Sequence, residues 1–342
     1  MNVKNPFVVR EELTPAILEL LQSVTLGTNG ARYRHLDTPK RIKQLYRPLF
    51  LTIERNDKVI GNITFCRREC GWYVRYFAFA DIFQTNGKRK VLRKESGLKN
   101  EINAFFENAL KGDFGKAPSL FYAYIDTKNE RSLWMSQGFE FKTIAKIATQ
   151  TFSRIKPKLK ENIREIKTNL NDVHEFVKNK FGNHQLYFDI HTFNDAPFYG
   201  LYSDNELIAF AKVHRANWII ERLPGKQGGL IANIIPYVPW VRKIIKPSLQ
   251  QFCVIEAVWS KNDNIERLNV LFEGILFHEK TNSLIWWVDT KDPFYKKAKK
   301  SINWGLIHKL NGVNEIDLVV RTNNPSVLNK NKPFYTTGFD FI

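Results

Sequence analysis

Cysteine is scarce in this chain: three residues in 342, at positions 66, 70 and 253. An odd count does not close into a disulfide framework and fits a reducing compartment, so a cytoplasmic location is expected. Cys66 and Cys70 stand in a CxxxC spacing. No second cysteine or histidine pair supplies the rest of a closed zinc set, and no metal is expected. Long apolar runs are missing as well. The longest, Leu230 to Val241, is broken by Pro236 and Pro239 and falls short of the ~20 residues that cross a bilayer, so no transmembrane segment is expected. Residues Met1 to Leu13 carry Lys4, Arg10, Glu11 and Glu12 and lack the apolar core of a secretory signal. Low-complexity stretches are absent, as are HxxxH and HExxH pairs, a GxSxG elbow, and GxGxxG or GxxxxGK[ST] loops. Metalloenzyme, hydrolase and nucleotide-triphosphatase chemistry are thereby set aside.

Aromatic residues and positive charge are plentiful. Hydrophobic residues make up 43% and aromatics 13%, with 26 Phe, 12 Tyr and 8 Trp, which suits well-filled globular cores. The length suits two domains of roughly 150 to 200 residues. The net charge of +18 comes from both halves: 26 basic against 15 acidic residues up to Ile155, and 26 against 19 beyond it. Such a balance points to an anionic partner, which is a nucleic acid, a lipid surface, an acidic substrate or the phosphates of a cofactor.

The order of elements repeats. Phe7 to Arg10 reads as a strand, and Thr14-Pro15 as the cap and first turn of a helix over Ala16 to Ser23. The same order returns at Ile163 to Ile166, with Asn171 or Asp172 as cap and a helix over Val173 to Lys180. Phe50 to Glu54 and Val59 to Cys66 form a hairpin around Arg55-Asn56-Asp57-Lys58, and Trp72 to Ala80 follows as a third strand. Phe198 to Tyr202, Leu207 to Val213 and Phe252 to Trp259 repeat that trio. Helices over Asn100 to Leu110 and Ile265 to His278 each carry apolar residues at i, i+3, i+4, i+7. Each leads to an apolar strand ending in Asp-Thr-Lys, at 126–128 and 289–291. Arg154 to Glu161 reads as a linker, so domains are expected at 1–155 and 160–342. An insertion at 224–250 has no counterpart in the first half. Its segment 231–246 mixes aromatic, aliphatic and basic residues, which suits either peripheral membrane contact or a lid.

This order, together with Asn129-Glu130-Arg131-Ser132-Leu133-Trp134-Met135-Ser136-Gln137-Gly138-Phe139 after a strand, resembles the GNAT superfamily of acyl-CoA-dependent N-acyltransferases. The resemblance covers most of residues 5–155 and, more loosely, 160–342. It implies an α/β fold with a mixed sheet, in two tandem GNAT-like domains, with Gly138 in the left-handed position that ends a short helix. It also implies acetyl-CoA or another acyl-CoA as co-substrate, and a small-molecule or peptide amine as acceptor. The family holds the cofactor's diphosphate on backbone amides at a helix start. The matching segment here is Lys94-Glu95-Ser96-Gly97-Leu98-Lys99, with Lys in place of the usual first Gln/Arg and Lys99 in place of a small residue. A helix N-terminus offers unpaired amides and a positive dipole end to phosphate. Arg93, Lys94, Ser96, Gly97, Leu98 and Lys99 are therefore the expected diphosphate residues, and the basic run from Lys88 adds charge for a further phosphate.

By the same resemblance, Phe79 and Ala80 border the thioester, and Asn129 and Trp134 flank the cofactor. The family's usual Tyr acid, four residues before the Gly-Phe pair, is here Trp134, whose indole is not a useful acid. Tyr124 is the candidate substitute, or else a groove-lining residue. Asp81 is the candidate base, or else an ordinary loop carboxylate. His35 lies among Arg32, Arg34, Lys40, Arg41, Lys43 and Arg47, a run that either selects an acidic acceptor or forms a charged helix face. The second half joins strand to helix through Ser260-Lys261-Asn262-Asp263-Asn264, without glycine, and is not expected to bind coenzyme A. The alternative to an acyltransferase is an inactive GNAT-like protein that binds nucleic acid or a lipid surface.

Overall fold

The computed structural model describes residues 7–27, 31–56, 58–69, 71–79, 97–168, 170–193, 196–223, 237–238, 241–329 and 331–342. The chain divides into two compact units, Met1–Ile144 with Leu318–Leu328, and Ala145–Asp317 with Asn329–Ile342.

The first unit opens with β1 (Phe7–Arg10), α1 (Pro15–Ser23), β2 (Arg32–His35) and α2 (Thr38–Lys43). The Thr14 hydroxyl accepts from the Ile17 amide, as the cap signal requires. The run Arg32 to Arg47 is thus a short strand and a six-residue helix rather than one charged helix face. Next come β3 (Pro48–Arg55), β4 (Lys58–Arg67) and β5 (Gly71–Phe79), then α3 (Gly97–Lys111), β6 (Leu120–Asp126) and α4 (Glu130–Gly138). β1, β3, β4 and β5 pair antiparallel in that order, and β6 joins β5 parallel. The apolar face of α3, with Ile102, Phe105, Phe106 and Ala109, packs on Phe65, Trp72 and Phe121 of one sheet face. Ile17, Leu20 and Leu21 of α1 are buried on their own side.

Two details of α4 differ from the sequence expectation. Gly138 is the last helical residue, and the left-handed conformation falls at Glu140, with φ 63°. The helix runs on because Phe139, just past it, is anchored in the core. The Lys99 side chain lies alongside Gly138, its Cε 3.6 Å from where a Cβ would stand, an ordinary contact.

β7 (Lys142–Ser153), which belongs to the second unit from Ala145 on, is followed by β8 (Ile163–Glu165), α5 (Leu170–Phe181), α6 (Asp189–Thr192), β9 (Phe198–Ser203) and β10 (Glu206–Arg222). β11 (Gln250–Ser260), α7 (Glu266–His278), β12 (Ser283–Asp289), α8 (Pro293–Ser301), α9 (Leu306–Asn311), β13 (Asn314–Arg321) and α10 (Gly338–Phe341) complete the chain. β8, β9, β10 and β11 are antiparallel neighbours and β12 joins β11 parallel, so the first unit's order recurs. α5 begins at Leu170, so Asn171 and Asp172 lie inside it rather than capping it. The unit boundaries also differ from 155 and 160. β7 pairs with β12 from Ser153 to Ile147, which places Ala145–Ser153 in the second unit. Leu318–Leu328 belongs to the first, where the buried Arg321 guanidinium donates to Asn103 at 2.8 Å, to the Phe139 carbonyl at 3.2 Å and to Glu107. Among the described residues, no helix is long and apolar enough to cross a membrane.

Candidate functional site

In the first unit the two parallel strands part company. β5 and β6 pair only at Gly71–Leu120, Trp72–Phe121 and Tyr73–Tyr122, although β5 continues to Phe79 and β6 to Asp126. The cause lies on the other edge of β5. Its register with β4 slips between Phe65–Val74 and Thr64–Tyr76, leaving Arg75 as an extra residue. Such a bulge bends and twists its strand, here away from β6. A V-shaped gap opens between Val74–Phe79 and Ala123–Asp126.

The two faces of the gap differ. Val74 and Phe77 pack into the cluster under α3. Tyr73, Tyr122 and Tyr124 form an aromatic group, with Tyr73 stacked on Tyr122 at 5.3 Å and Tyr124 edge-on to both at 5.6 and 6.0 Å. The Arg68 guanidinium donates to the Tyr122 hydroxyl and lies 5.5 Å over the Tyr73 ring, fixing the closed end of the V. Tyr124 sits two residues beyond the last paired position and is half-buried.

α3 starts at Gly97, three residues earlier than its apolar periodicity indicates. Gly97 is exposed, with no atom of the described residues within 4 Å of where a Cβ would stand, and the first turn carries no acid. Leu98 packs against the core, and Lys99 reaches the end of α4 at Gly138. Asn129 Oδ1 accepts from the Ser132 amide at 3.1 Å, so its side chain caps α4. Trp134 is 49% exposed on that helix. Phe79 ends β5, edge-on to Phe77 at 5.3 Å. Ala80, Asp81, Arg93, Lys94 and Ser96 lie outside the described residues.

Sequence reasoning did not find the pocket beside β5. It is a small cavity of about 40 Å³. Leu21, Val24 and Leu26 from the end of α1, with Phe77 and Ala78 of β5, make its apolar wall. Its polar wall is His35, Thr38, Arg75 and Tyr76. Thr38 donates to the His35 carbonyl at 3.1 Å, holding the turn between β2 and α2. Burial first, then the guanidinium groups of Arg75 and Arg41, push the His35 imidazole down to about 3, so it is neutral at ordinary pH. The run around His35 was visible in the sequence. Arg75 was not, because a bulge is set by the partner strand.

The second unit repeats the gap and fills it. β11 pairs with β12 only from Cys253–Leu284 to Ile255–Trp286, and its register with β10 slips just after Glu256, where Ala257 has φ 50°. Residues of the C-terminal segment bond to both diverging strands. The Phe334 amide donates to Asp289 Oδ2 at 2.9 Å, the Thr336 hydroxyl to the Trp287 carbonyl at 2.7 Å, and the Gly338 amide to Glu256 Oε2 at 2.7 Å. Phe341 stacks on Trp218 at 5.1 Å and lies edge-on to Trp287 at 4.8 Å. Beneath them the fully buried Lys212 ammonium is 3.1 Å from Glu256 Oε1, and His214 Nε2 is 2.8 Å from it. Burial opposes the Glu256 charge, but Lys212, His214 and the Gly338 amide hold its carboxyl well below the ordinary range. Cys253 is no nucleophile: burial pushes its thiol up to about 12.

A parallel strand pair that splays at a bulge, with a helix start following the bulged strand, occurs here twice in one order of elements. No protein-family model matches the sequence, and no curated protein matches it significantly. Solved structures do match. The crystal structure of a GCN5-related N-acetyltransferase from Sphaerobacter thermophilus aligns with a TM-score of 0.50 at 11% identity, over 94% of this chain and 97% of that one. Saccharomyces cerevisiae N-myristoyltransferase with bound myristoyl-CoA aligns with a TM-score of 0.58 at 9% identity, over 97% of this chain and 84% of that one. The protein has the GNAT fold. It carries that fold twice, as tandem α/β units built on a mixed sheet.

Proposed function

We propose that this protein is an acyl-CoA-dependent N-acyltransferase whose transfer site is the gap of the first unit. The chief support is the parting of β5 and β6 beyond Tyr73–Tyr122, combined with the occupation of the equivalent gap in the second unit by the chain's own C-terminal segment. An extended pantetheine arm suits strand edges that do not pair with each other, as β5 and β6 do not beyond Tyr73–Tyr122. The start of α3 at Gly97, open among the described residues, suits a diphosphate, with the amides of Gly97, Leu98 and Lys99 as donors and Arg93, Lys94 and Ser96 ahead of them in sequence. The solved neighbours are an N-acetyltransferase and an N-myristoyltransferase, the latter with myristoyl-CoA bound, so either a short or a long acyl chain suits the fold.

The co-substrate supplies an activated thioester carbonyl. The protein's part is to hold it in the gap, with backbone at Phe79 and Ala80 polarising the carbonyl oxygen, and to bring up a neutral amine. Nitrogen bonds to the carbonyl carbon, the carbon–sulfur bond breaks, the amine gives up a proton and the departing thiolate takes one. Asp81 is the proposed base and Tyr124, the phenol that stands beside the splayed stretch, the proposed acid. Asn129 and Trp134 border the cofactor side on α4, and neither is assigned a proton.

Calorimetric titration with acetyl-CoA and with myristoyl-CoA tests the proposal. One binding site per chain for at least one of them is expected. No binding of either, together with salt-sensitive binding of nucleic acid or anionic vesicles, overturns it in favour of an inactive protein with an anionic partner.

A further inference from the structure

Between Glu221 and Glu256 the chain holds Arg222, Lys226, Arg242, Lys243 and Lys246 and no acidic residue. The described part of this insertion, Tyr237, Val238 and residues 241–249, forms a knuckle on the surface of the second unit. The Arg242 amide donates to the Val238 carbonyl at 3.0 Å, and the amides of Ile244 and Ile245 donate to the Val241 carbonyl at 2.9 and 2.8 Å. Ile244 is buried and seats the knuckle in the fold. Gln250, at the start of β11, clamps it: the side-chain nitrogen donates to the Ile244 carbonyl at 3.1 Å and the side-chain oxygen accepts from the Lys246 amide at 2.8 Å. The Ile220 amide of β10 donates to the Pro247 carbonyl at 2.8 Å. Held in this way, the knuckle turns apolar groups outward. Tyr237 is 84% exposed, the most exposed large hydrophobic side chain among the described residues, and Val238 and Leu249 are 37% and 43% exposed. Arg242, Lys243 and Lys246 are exposed on the same short segment.

Cations alone suit any polyanion, and α8 shows the contrast. Lys296, Lys297, Lys299 and Lys300 are exposed there, but Phe294, Tyr295 and Ala298 of the same helix are buried, so α8 offers charge and nothing to insert. The knuckle offers both. A tyrosine ring among cations also suits the stacked bases of a single-stranded nucleic acid, but Val238 and Leu249 gain nothing from stacking. An anionic bilayer surface uses every exposed group: cations meet the headgroups, aliphatic side chains enter the acyl boundary, and a tyrosine keeps its ring in the apolar layer and its hydroxyl in the wet one. We infer that the knuckle is a docking surface for an anionic lipid membrane, with Tyr237, Val238 and Leu249 entering the interface and Arg242, Lys243 and Lys246 at the headgroups. Its backbone is already ordered by the bonds to Val238, Val241 and Gln250, so docking costs little ordering entropy.

Co-sedimentation of the full chain with vesicles tests the inference, comparing phosphatidylcholine alone with phosphatidylcholine carrying roughly one-third phosphatidylserine. Binding to the anionic vesicles only, weakening with salt, is expected. Each cation at an anionic surface is worth about fivefold in affinity, so Arg242→Gln with Lys243→Gln should weaken binding about 25-fold. Tyr237→Ser with Val238→Ser leaves the charge unchanged and should weaken it about tenfold. All four side chains are exposed, and thermal melts that match wild type show that the fold is kept. Lys296→Gln with Lys297→Gln removes the same charge from α8 and should alter binding less than about twofold. No binding to anionic vesicles, an equal loss in the α8 pair, or an unchanged affinity in the serine pair overturns the inference. Binding of a single-stranded oligonucleotide that the knuckle variants weaken, without vesicle binding, also overturns it and assigns the surface to nucleic acid. The inference stands apart from the acyltransferase reading, which calorimetry with acetyl-CoA tests separately on the same proteins.

Discussion

Gly97→Asp separates the fold from the function of the first unit. Gly97 begins α3 in ordinary backbone conformation, exposed, with open space at the Cβ position among the described residues and no acid in the first turn. A carboxylate at the positive end of a helix contributes about 0.3 to 1 kcal/mol. Replacing glycine where the backbone tolerates a side chain adds roughly 0.4 to 1 kcal/mol through the unfolded chain. The variant should therefore melt no lower than wild type, and a degree or more higher in a thermal scan is expected. Its effect on a diphosphate is opposite. Two unit charges 4 Å apart interact by about 1 kcal/mol in water and about 4 kcal/mol at an effective dielectric of 20. A partly solvated site lies between these, and about 1.4 to 2.8 kcal/mol corresponds to a ten- to hundredfold loss of acetyl-CoA affinity. Gly97→Asn, nearly isosteric and uncharged, should lose little. Calorimetry and thermal melts on the three proteins decide the matter. An Asp variant that binds acetyl-CoA within about threefold of wild type refutes the assignment of the diphosphate to this helix start.

Three further outcomes are expected. Glu256→Gln removes the carboxylate shared by Lys212 and His214 and should destabilise the protein by about 3 to 5 kcal/mol in urea unfolding, whereas a change below 1 kcal/mol would mean the buried pair contributes nothing. Stability should fall with acid in two ways. The unfolded chain protonates His35 near 6.5 while the folded one resists to about 3, so its contribution is present above pH 6.5 and fades toward 3; His35→Gln should flatten that part of the profile. The depressed Glu256 carboxyl contributes stability above its ordinary value of 4.5 and loses it as pH falls below, so Glu256→Gln should flatten only the more acid part. Tyr124→Phe should lower kcat by roughly 10²-fold or more with acetyl-CoA affinity unchanged, as loss of a general acid does; an unaltered kcat makes Tyr124 a groove-lining residue.

Much of the architecture was legible because its signals are local. The two hairpins announce themselves through polar turn tetrapeptides between apolar runs, and α3 and α7 through apolar residues on one face. Their recurrence in one order gave the duplication. The capping of α1 by Thr14 also follows from nearest neighbours. What escaped depends on distant partners. The slip at Arg75 is set by β4, so the residue that lines the pocket looks like any strand arginine. Ala145–Ser153 reads as the end of one domain because nothing in it names β12 as its partner. The C-terminal segment is short and aromatic, and only Glu256, Trp287 and Asp289 reveal that it occupies a gap. Glu140 rather than Gly138 adopts the left-handed conformation because core packing of Phe139 outweighs the usual glycine preference.

A structure determined with an acyl-CoA bound tests the central claim most directly. The account predicts one molecule per chain, its pantetheine between β5 and β6 and its diphosphate at the amides of Gly97, Leu98 and Lys99. Density between β11 and β12 with the C-terminal segment displaced, or none in the gap of the first unit at saturating ligand, would contradict it.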